Sequence, residues 1–149
     1  MRGVLQRVRE ARVEVGDELV AEMGPGLLVL VGVGRRDTER DARELVRKIL
    51  GLRIFEDDAG KMNRSLVETG GTLGLVSQFT LWADTRKGRR PSFGEAAEPA
   101  VAEPLFDRVC DVARAEGVSV VTGRFGAMMR VSLTNDGPVT ILLDTERTF

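Results

Sequence analysis

The chain of 149 residues contains no histidine and no tyrosine, and Cys110 is its only thiol. Serine–histidine–aspartate and cysteine–histidine catalysis are therefore excluded within the chain, because no imidazole is present to deprotonate the nucleophile. A zinc site of histidine and cysteine is excluded for want of ligands, and so is an internal disulfide. Long apolar runs are missing too; none approaches the roughly eighteen residues of a membrane-spanning helix. The opening stretch, Met1 to Glu10, alternates polar and apolar residues as a strand does and has no signal-peptide pattern, which predicts a cytoplasmic protein with no membrane partner. An enzyme of this composition has to work with carboxylates, hydroxyls, backbone groups, a carboxylate-bound metal, or groups its substrate brings.

What is present describes a globular chain. Apolar residues make up 42% and charged residues 30%, and the length predicts one domain over residues 1–149 with a sizeable core. The net charge of −1 argues against bulk coating of nucleic acid, DNA included, but leaves room for a local basic patch.

Periodicity places strands at 2–9 and 11–15, a turn at Gly16-Asp17, a returning strand from Glu18 to Met23, and a central strand over Leu27–Val33 that is apolar on both faces. Thr38, with Asp41 three residues on, opens a helix whose stripe is Ala42, Leu45, Val46, Ile49 and Leu50. A short strand, Leu52 to Phe55, leads to the Asp57-Asp58-Ala59-Gly60 turn; the other ligand positions of a calcium loop are absent there, and no metal or cofactor is expected. A strand from Thr72 to Leu81 follows. A second helix begins near Pro99, with Leu105, Val109, Val112 and Ala113 as its stripe, Cys110 as an inert packing residue beside it and Gly117 as its C-cap. Strands at 118–124, 128–134 and 139–144 finish the chain. The expected class is α+β, a β-rich domain with an antiparallel or mixed, barrel-like sheet and two helices.

Three stretches carry candidate chemistry. In Val76-Ser77-Gln78-Phe79-Thr80-Leu81-Trp82, two hydroxyls and an amide fall within four residues, a polar load that an edge strand would expose and a buried strand would have to satisfy. In a strand, Ser77 and Phe79 point one way and Gln78 and Thr80 the other. The following loop places Arg86, Lys87, Arg89 and Arg90 around Gly88, a concentrated positive patch suited to phosphates. Phe79, Trp82 and Phe93 lie close enough in sequence to offer a stacking surface for an unpaired base. The third stretch is Asn135-Asp136-Gly137-Pro138-Val139-Thr140. Asp-Gly between two β-like runs normally signals a tight hairpin, but Pro138 has no N–H with which to close it. Either the turn is wider than it looks, or the Gly-Pro backbone is held out for another use.

Taken together, Ser77-Gln78-Phe79-Thr80, the Asp84–Phe93 loop and Asn135–Thr140 resemble the D-aminoacyl-tRNA deacylases. Supporting matches are Gln6-Arg7-Val8, Leu52-Arg53-Ile54-Phe55 with Gly60-Lys61-Met62-Asn63, and Thr122-Gly123-Arg124-Phe125, so that the likeness covers essentially the whole chain in order. An animal class of related deacylases differs in the Ser-Gln-Phe-Thr segment, and the intact segment favours the D-specific class. Met128 is a departure, at a place where the family more often has Asp.

The resemblance implies hydrolysis of the ester between a D-amino acid and the 3′-terminal ribose of tRNA, with removal of glycine mischarged on tRNA-Ala as well. It implies a homodimer with its site at the interface, into which a cis Gly137-Pro138 of one subunit reaches and rejects L-amino acids. On this reading Ser77, Gln78 and Phe79 hold the terminal adenosine and the scissile carbonyl. Met129 and Phe125 line the pocket, Arg7 braces the Gly-Pro loop, and Arg86, Lys87, Arg89 and Arg90 hold acceptor-stem phosphates. Thr80 is the one residue able to act as a nucleophile; an oriented water with backbone donors and the RNA's own 2′-hydroxyl is the other route. Two rivals remain: a non-catalytic RNA-binding module using the basic loop, and a dimeric structural protein.

Overall fold

The computed structural model describes residues 1–149 and is built on one long strand. β1 (Arg2–Val15) runs unbroken through the point where the pattern suggested two strands. Along one edge its second half pairs antiparallel with β2 (Glu18–Met23) and its first half with β3 (Gly26–Gly32). Along the other edge β8 (Arg130–Asp144) pairs with it almost end to end. β6 (Thr72–Ser77) lies parallel to β3, and β7 (Ser119–Thr122) parallel to β6. β7 packs back toward β2, which leaves the mixed sheet nearly closed.

Parallel neighbours need crossovers. α1 (Glu39–Gly51) lies within the first, from β3 to β6, and α3 (Pro99–Ala115) forms the second, from β6 to β7. The first crossover also carries a small hairpin, β4 (Phe55–Glu56) with β5 (Met62–Arg64), and a one-turn helix, α2 (Leu66–Thr69). The expected α+β class with a barrel-like mixed sheet holds, but with three helices instead of two. The third is short enough to escape periodicity and is set by a capping box, in which the Ser65 N–H donates to the Glu68 carboxylate and the Glu68 N–H to Ser65 Oγ.

The central strand is buried on both faces, as its unbroken apolar run requires. Leu27, Val29 and Val31 face the helices beside Leu73 and Leu75, while Leu28 faces a second cluster with Val8, Val13, Met23 and Val76. α1 buries Ala42, Leu45, Val46 and Ile49 on the first of these faces, as its spacing predicted. α3 is rotated from the expected stripe: it buries Ala102, Phe106, Val109, Cys110 and Ala113, leaving Leu105 and Val112 half-buried. The large Phe106 sets that rotation by packing its ring 6.2 Å from Phe125. The helix ends at Ala115 and Gly117 follows at φ 80°, one residue beyond the cap position expected of it.

Candidate active site

β6 ends at Ser77, and the expected continuation to Leu81 does not form. Phe79–Trp82 instead wind into a 3-10 turn. The Gln78 N–H still donates to the Val31 carbonyl at 2.7 Å, but the chain then leaves the ladder, so the two-faced alternation of Ser77 to Thr80 fails. The turn presents Phe79 and Thr80 to solvent and carries Trp82 inward, where it is 6% exposed and its indole N–H donates to the Gly32 carbonyl at 3.0 Å. Trp82 is thus no stacking surface. Phe79 remains accessible, being 57% exposed with its ring edge-on to Phe93 at 5.1 Å. The N–H groups of Phe79 and Thr80, first in their turn, have no acceptor within the protein. The Gln78 side-chain amide donates to Thr80 Oγ1, and no carboxylate or amine joins this pair as a base.

The basic loop closes on itself through Asp84 and Ser92, whose backbones exchange hydrogen bonds of 2.7 and 2.9 Å. Arg86 is committed within it: its guanidinium meets both Asp84 carboxylate oxygens at 2.9 and 2.7 Å and holds that carboxyl far below the usual range. Lys87, Arg89 and Arg90 are exposed and form no ion pair. Asp84 is a functional neighbour that charge patterning alone passes over, although an acid two residues before an arginine at a loop mouth is a recognisable partner.

The Asn135–Thr140 stretch is no hairpin at all. β8 continues straight through it, and the partners of Gln6 and Val8 on β1 are Thr140 and Asn135, so Asp136 to Val139 swing out opposite the single residue Arg7. The Gly137-Pro138 bond is cis, and Asp136, Gly137 and Pro138 are exposed. Two side chains hold the excursion. Asn135 Oδ1 accepts from the Val139 N–H at 2.7 Å while its Nδ2 donates to the Val139 carbonyl at 3.2 Å. Arg7, buried at 8% exposure, donates from Nε to the Asp136 carbonyl at 2.8 Å and from Nη1 to the Ile54 carbonyl at 2.5 Å. Arg7 thus links the backbone of the excursion to that of Ile54. The role of Asn135 is legible in sequence only through asparagine's habit of bonding nearby backbone.

A cleft of about 360 Å³ opens between α3 and the segment after β7, with Phe106, Cys110, Thr122 and Phe125 in its wall. None of Ser77 to Thr80 lines it; its nearest tie to β6 is the Gly123 N–H, which donates to the Leu75 carbonyl. Met129 packs on the second core cluster, with its sulfur so close to Gly123 that a Cβ there would lie 2.7 Å from it. Met128, the departure from the family pattern, is 91% exposed. Burial pushes the Cys110 thiol up to about 11, the inert state expected of it.

Ser77–Thr80 and Gly137-Pro138 are not brought together within the chain. Ser77 is level with Val31 and Gly3, while the excursion is level with Arg7, four residues along β1 and three strands across the sheet. At standard strand spacings that is about 14 Å in each direction. An exposed turn with two free backbone donors, a hydroxyl and no general base defines a class of site, one that orients a reactive bond and stabilises developing charge instead of generating a strong nucleophile.

The comparisons narrow that class. Residues 4–144 match the model of the family described as D-Tyr-tRNA(Tyr) deacylase. The chain is 59% identical over 145 residues to a D-aminoacyl-tRNA deacylase of Roseiflexus sp. (strain RS-1), covering 97% of this chain and 94% of the relative. It is 56% identical over 149 residues to one of Symbiobacterium thermophilum, covering 100% and 99%. Among solved structures, the c-Myc DNA Unwinding Element Binding Protein superposes with a TM-score of 0.92 at 39% identity, covering 97% of this chain and 99% of that one. The chain belongs to the D-Tyr-tRNA(Tyr) deacylase family.

Proposed function

We propose that the protein is a hydrolase that cleaves the ester of D-aminoacyl-tRNA, releasing the D-amino acid and free tRNA as a proofreading step in translation. Family membership supports the reaction, and one observation supports the mechanism: the free N–H groups of Phe79 and Thr80 on the exposed turn beside Ser77 and Gln78. Water attacks the aminoacyl carbonyl carbon and these donors take up the charge on its oxygen. The ester C–O bond then breaks, and the ribose 3′-oxygen leaves with the proton given up by the attacking water, relayed through the neighbouring 2′-hydroxyl of the RNA. An oxyanion donor of this kind is worth about 10²–10³ in rate. An aminoacyl ester is already reactive, and orientation supplies the remainder.

In this reading Phe79 and Phe93 seat the terminal adenine, Gln78 and Ser77 position the ribose and carbonyl, and Phe125 and Met129 bound the amino-acid side. Lys87, Arg89 and Arg90 meet the acceptor-stem phosphates, with Arg86 shaping the loop. Gly137-Pro138 selects chirality from the partner of a homodimer; the distance between the two stretches within one chain supports an origin in a second copy. The protein acts as one domain in the cytoplasm, on tRNA and not on DNA, with no cofactor, and glycyl-tRNA is a further substrate.

The test is deacylation of matched D- and L-aminoacyl-tRNA, with single-stranded DNA as competitor and the oligomeric state measured on the same sample. Cleavage of the D-ester alone, undisturbed by DNA, is the expected result. Binding of tRNA without cleavage of either ester would replace the enzyme by an RNA-binding module.

A further inference from the structure

We infer that Arg2 is a positioning residue for the Phe79–Trp82 turn, acting through Leu81 and Trp82. The inference rests on the deacylase reading of that turn. The turn is tied at its start by the Gln78 N–H on the Val31 carbonyl. At its far end the Arg2 guanidinium lies over the Trp82 ring, 4.0 Å from the centroid, and donates from Nη1 to the Leu81 carbonyl at 2.9 Å. A single planar group thus grips the ring by its charge and the backbone by its hydrogen bond, a combination that a lysine ammonium cannot reproduce.

What surrounds this grip leaves the turn little freedom. Trp82 donates to the Gly32 carbonyl, and its ring fills the space beside Gly34 so closely that a Cβ there would lie 2.4 Å from ring carbon. On the other side Arg2 faces the buried Asp144, with Nε 3.8 Å from Oδ2, and the Phe149 ring at 5.7 Å. Arg2 Nε itself is buried without a hydrogen-bond partner. A buried unpartnered donor is costly, and here it accompanies a guanidinium whose orientation is set by the ring and the Leu81 carbonyl. Phe79 and Thr80, the two residues that present free N–H groups, lie between the two tied ends. Loosening the far end lets those donors diverge, and donors set for a transition-state oxygen lose their effect within a fraction of an ångström. Arg2 touches no part of the proposed substrate, so its contribution falls on turnover and not on binding.

The test compares full-length wild type with Arg2→Met and Arg2→Lys in D-aminoacyl-tRNA deacylation, together with the emission of Trp82, the only tryptophan. In Arg2→Met, kcat is expected to fall about ten- to a hundredfold with KM within about twofold, the pattern of lost orientation. The Trp82 emission should change in the same variant, and Arg2→Lys should restore the emission more than the rate. Should Arg2→Met fail to fold, Arg2→Lys carries the test alone: an unchanged kcat overturns the inference and a reduced kcat at constant KM supports it. Changed emission with unchanged kcat in either variant also overturns it, as does a loss confined to KM. A wild-type protein that cleaves no ester overturns the deacylase reading, and this inference with it.

Discussion

The guanidinium of Arg7 donates to the backbone carbonyl of Asp136, a residue 129 positions away, at 2.8 Å. Its other arm ends on the Ile54 carbonyl, so one buried cation ties the Gly-Pro excursion to the segment that follows α1. No carboxylate shares it. The charge is spent on two neutral acceptors, which makes Arg7 a strut between backbones instead of half of an ion pair.

Arg7→Ala should therefore free the excursion and leave both carbonyls without their donor. Hydrogen bonds from a charged group are worth about 1.5–3 kcal/mol, and a loss of that order is expected in chemical denaturation. Discrimination between D- and L-aminoacyl-tRNA should fall by about tenfold or more as the wall of the site shifts. Unchanged discrimination in a destabilised Arg7→Ala would show that the strut serves stability alone.

Gly137→Ala probes the same excursion from its tip. At φ 148° a side chain is disfavoured, and a Cβ would lie 2.8 Å from Val139 Cγ2 and 3.3 Å from Arg7 Nη2. Strain of about 1–3 kcal/mol is expected, and because the residue stands outside the β1–β8 ladder the far-ultraviolet spectrum should remain that of the wild type. Activity on the D-ester should drop well before the fold is lost; wild-type kinetics in this variant would remove the excursion from the site.

Thr80 accepts a hydrogen bond from the Gln78 amide and has no base beside it. Thr80→Ala should keep kcat within about tenfold of wild type, because its backbone N–H survives the change. A loss of a thousandfold in this variant, or an acyl group trapped on Thr80 of the wild type, would make Thr80 the nucleophile.

The free cations of the basic loop should show in the salt dependence of tRNA binding. Each phosphate contact on a duplex such as the acceptor stem contributes about 0.9 to the slope of log affinity against log salt, so Arg89→Ala with Arg90→Ala should lower it by about 1.8. A double variant with an unaltered slope would place the RNA elsewhere.

Cys110 supplies a pH test. Burial raises its thiol from an ordinary 9.0 to about 11, because the folded site disfavours the thiolate. Its contribution to stability is complete below pH 9.0 and is lost as pH rises through about 11, since only the unfolded chain ionises readily in that window. Iodoacetamide should alkylate the folded protein slowly and the denatured chain quickly. Equal rates would show an open thiol.

Much of this was written locally. The absence of histidine ruled out the common nucleophile pairs, the spacing of Ala42, Leu45, Val46 and Ile49 fixed the buried face of α1, and the loop around Gly88 declared its charge. Such features depend on residues a turn or two apart, and the chain carries them wherever it goes. Tertiary structure decided the rest. Asn135–Val139 looked like a turn because Asp-Gly-Pro is turn chemistry, yet β1 pairs with β8 on both sides of it and forces the surplus residues outward. Thr72–Leu81 looked like one strand, yet the chain leaves the ladder after Gln78 and the space beside Gly32 and Gly34 receives the Trp82 ring. Arg7, a cation in an alternating strand, is buried because acceptors from residues 54 and 136 meet it there. Local pattern specifies what a segment can form; which form prevails at these places is decided by partners tens of residues away, whose pairing and packing outweigh the segment's own preference.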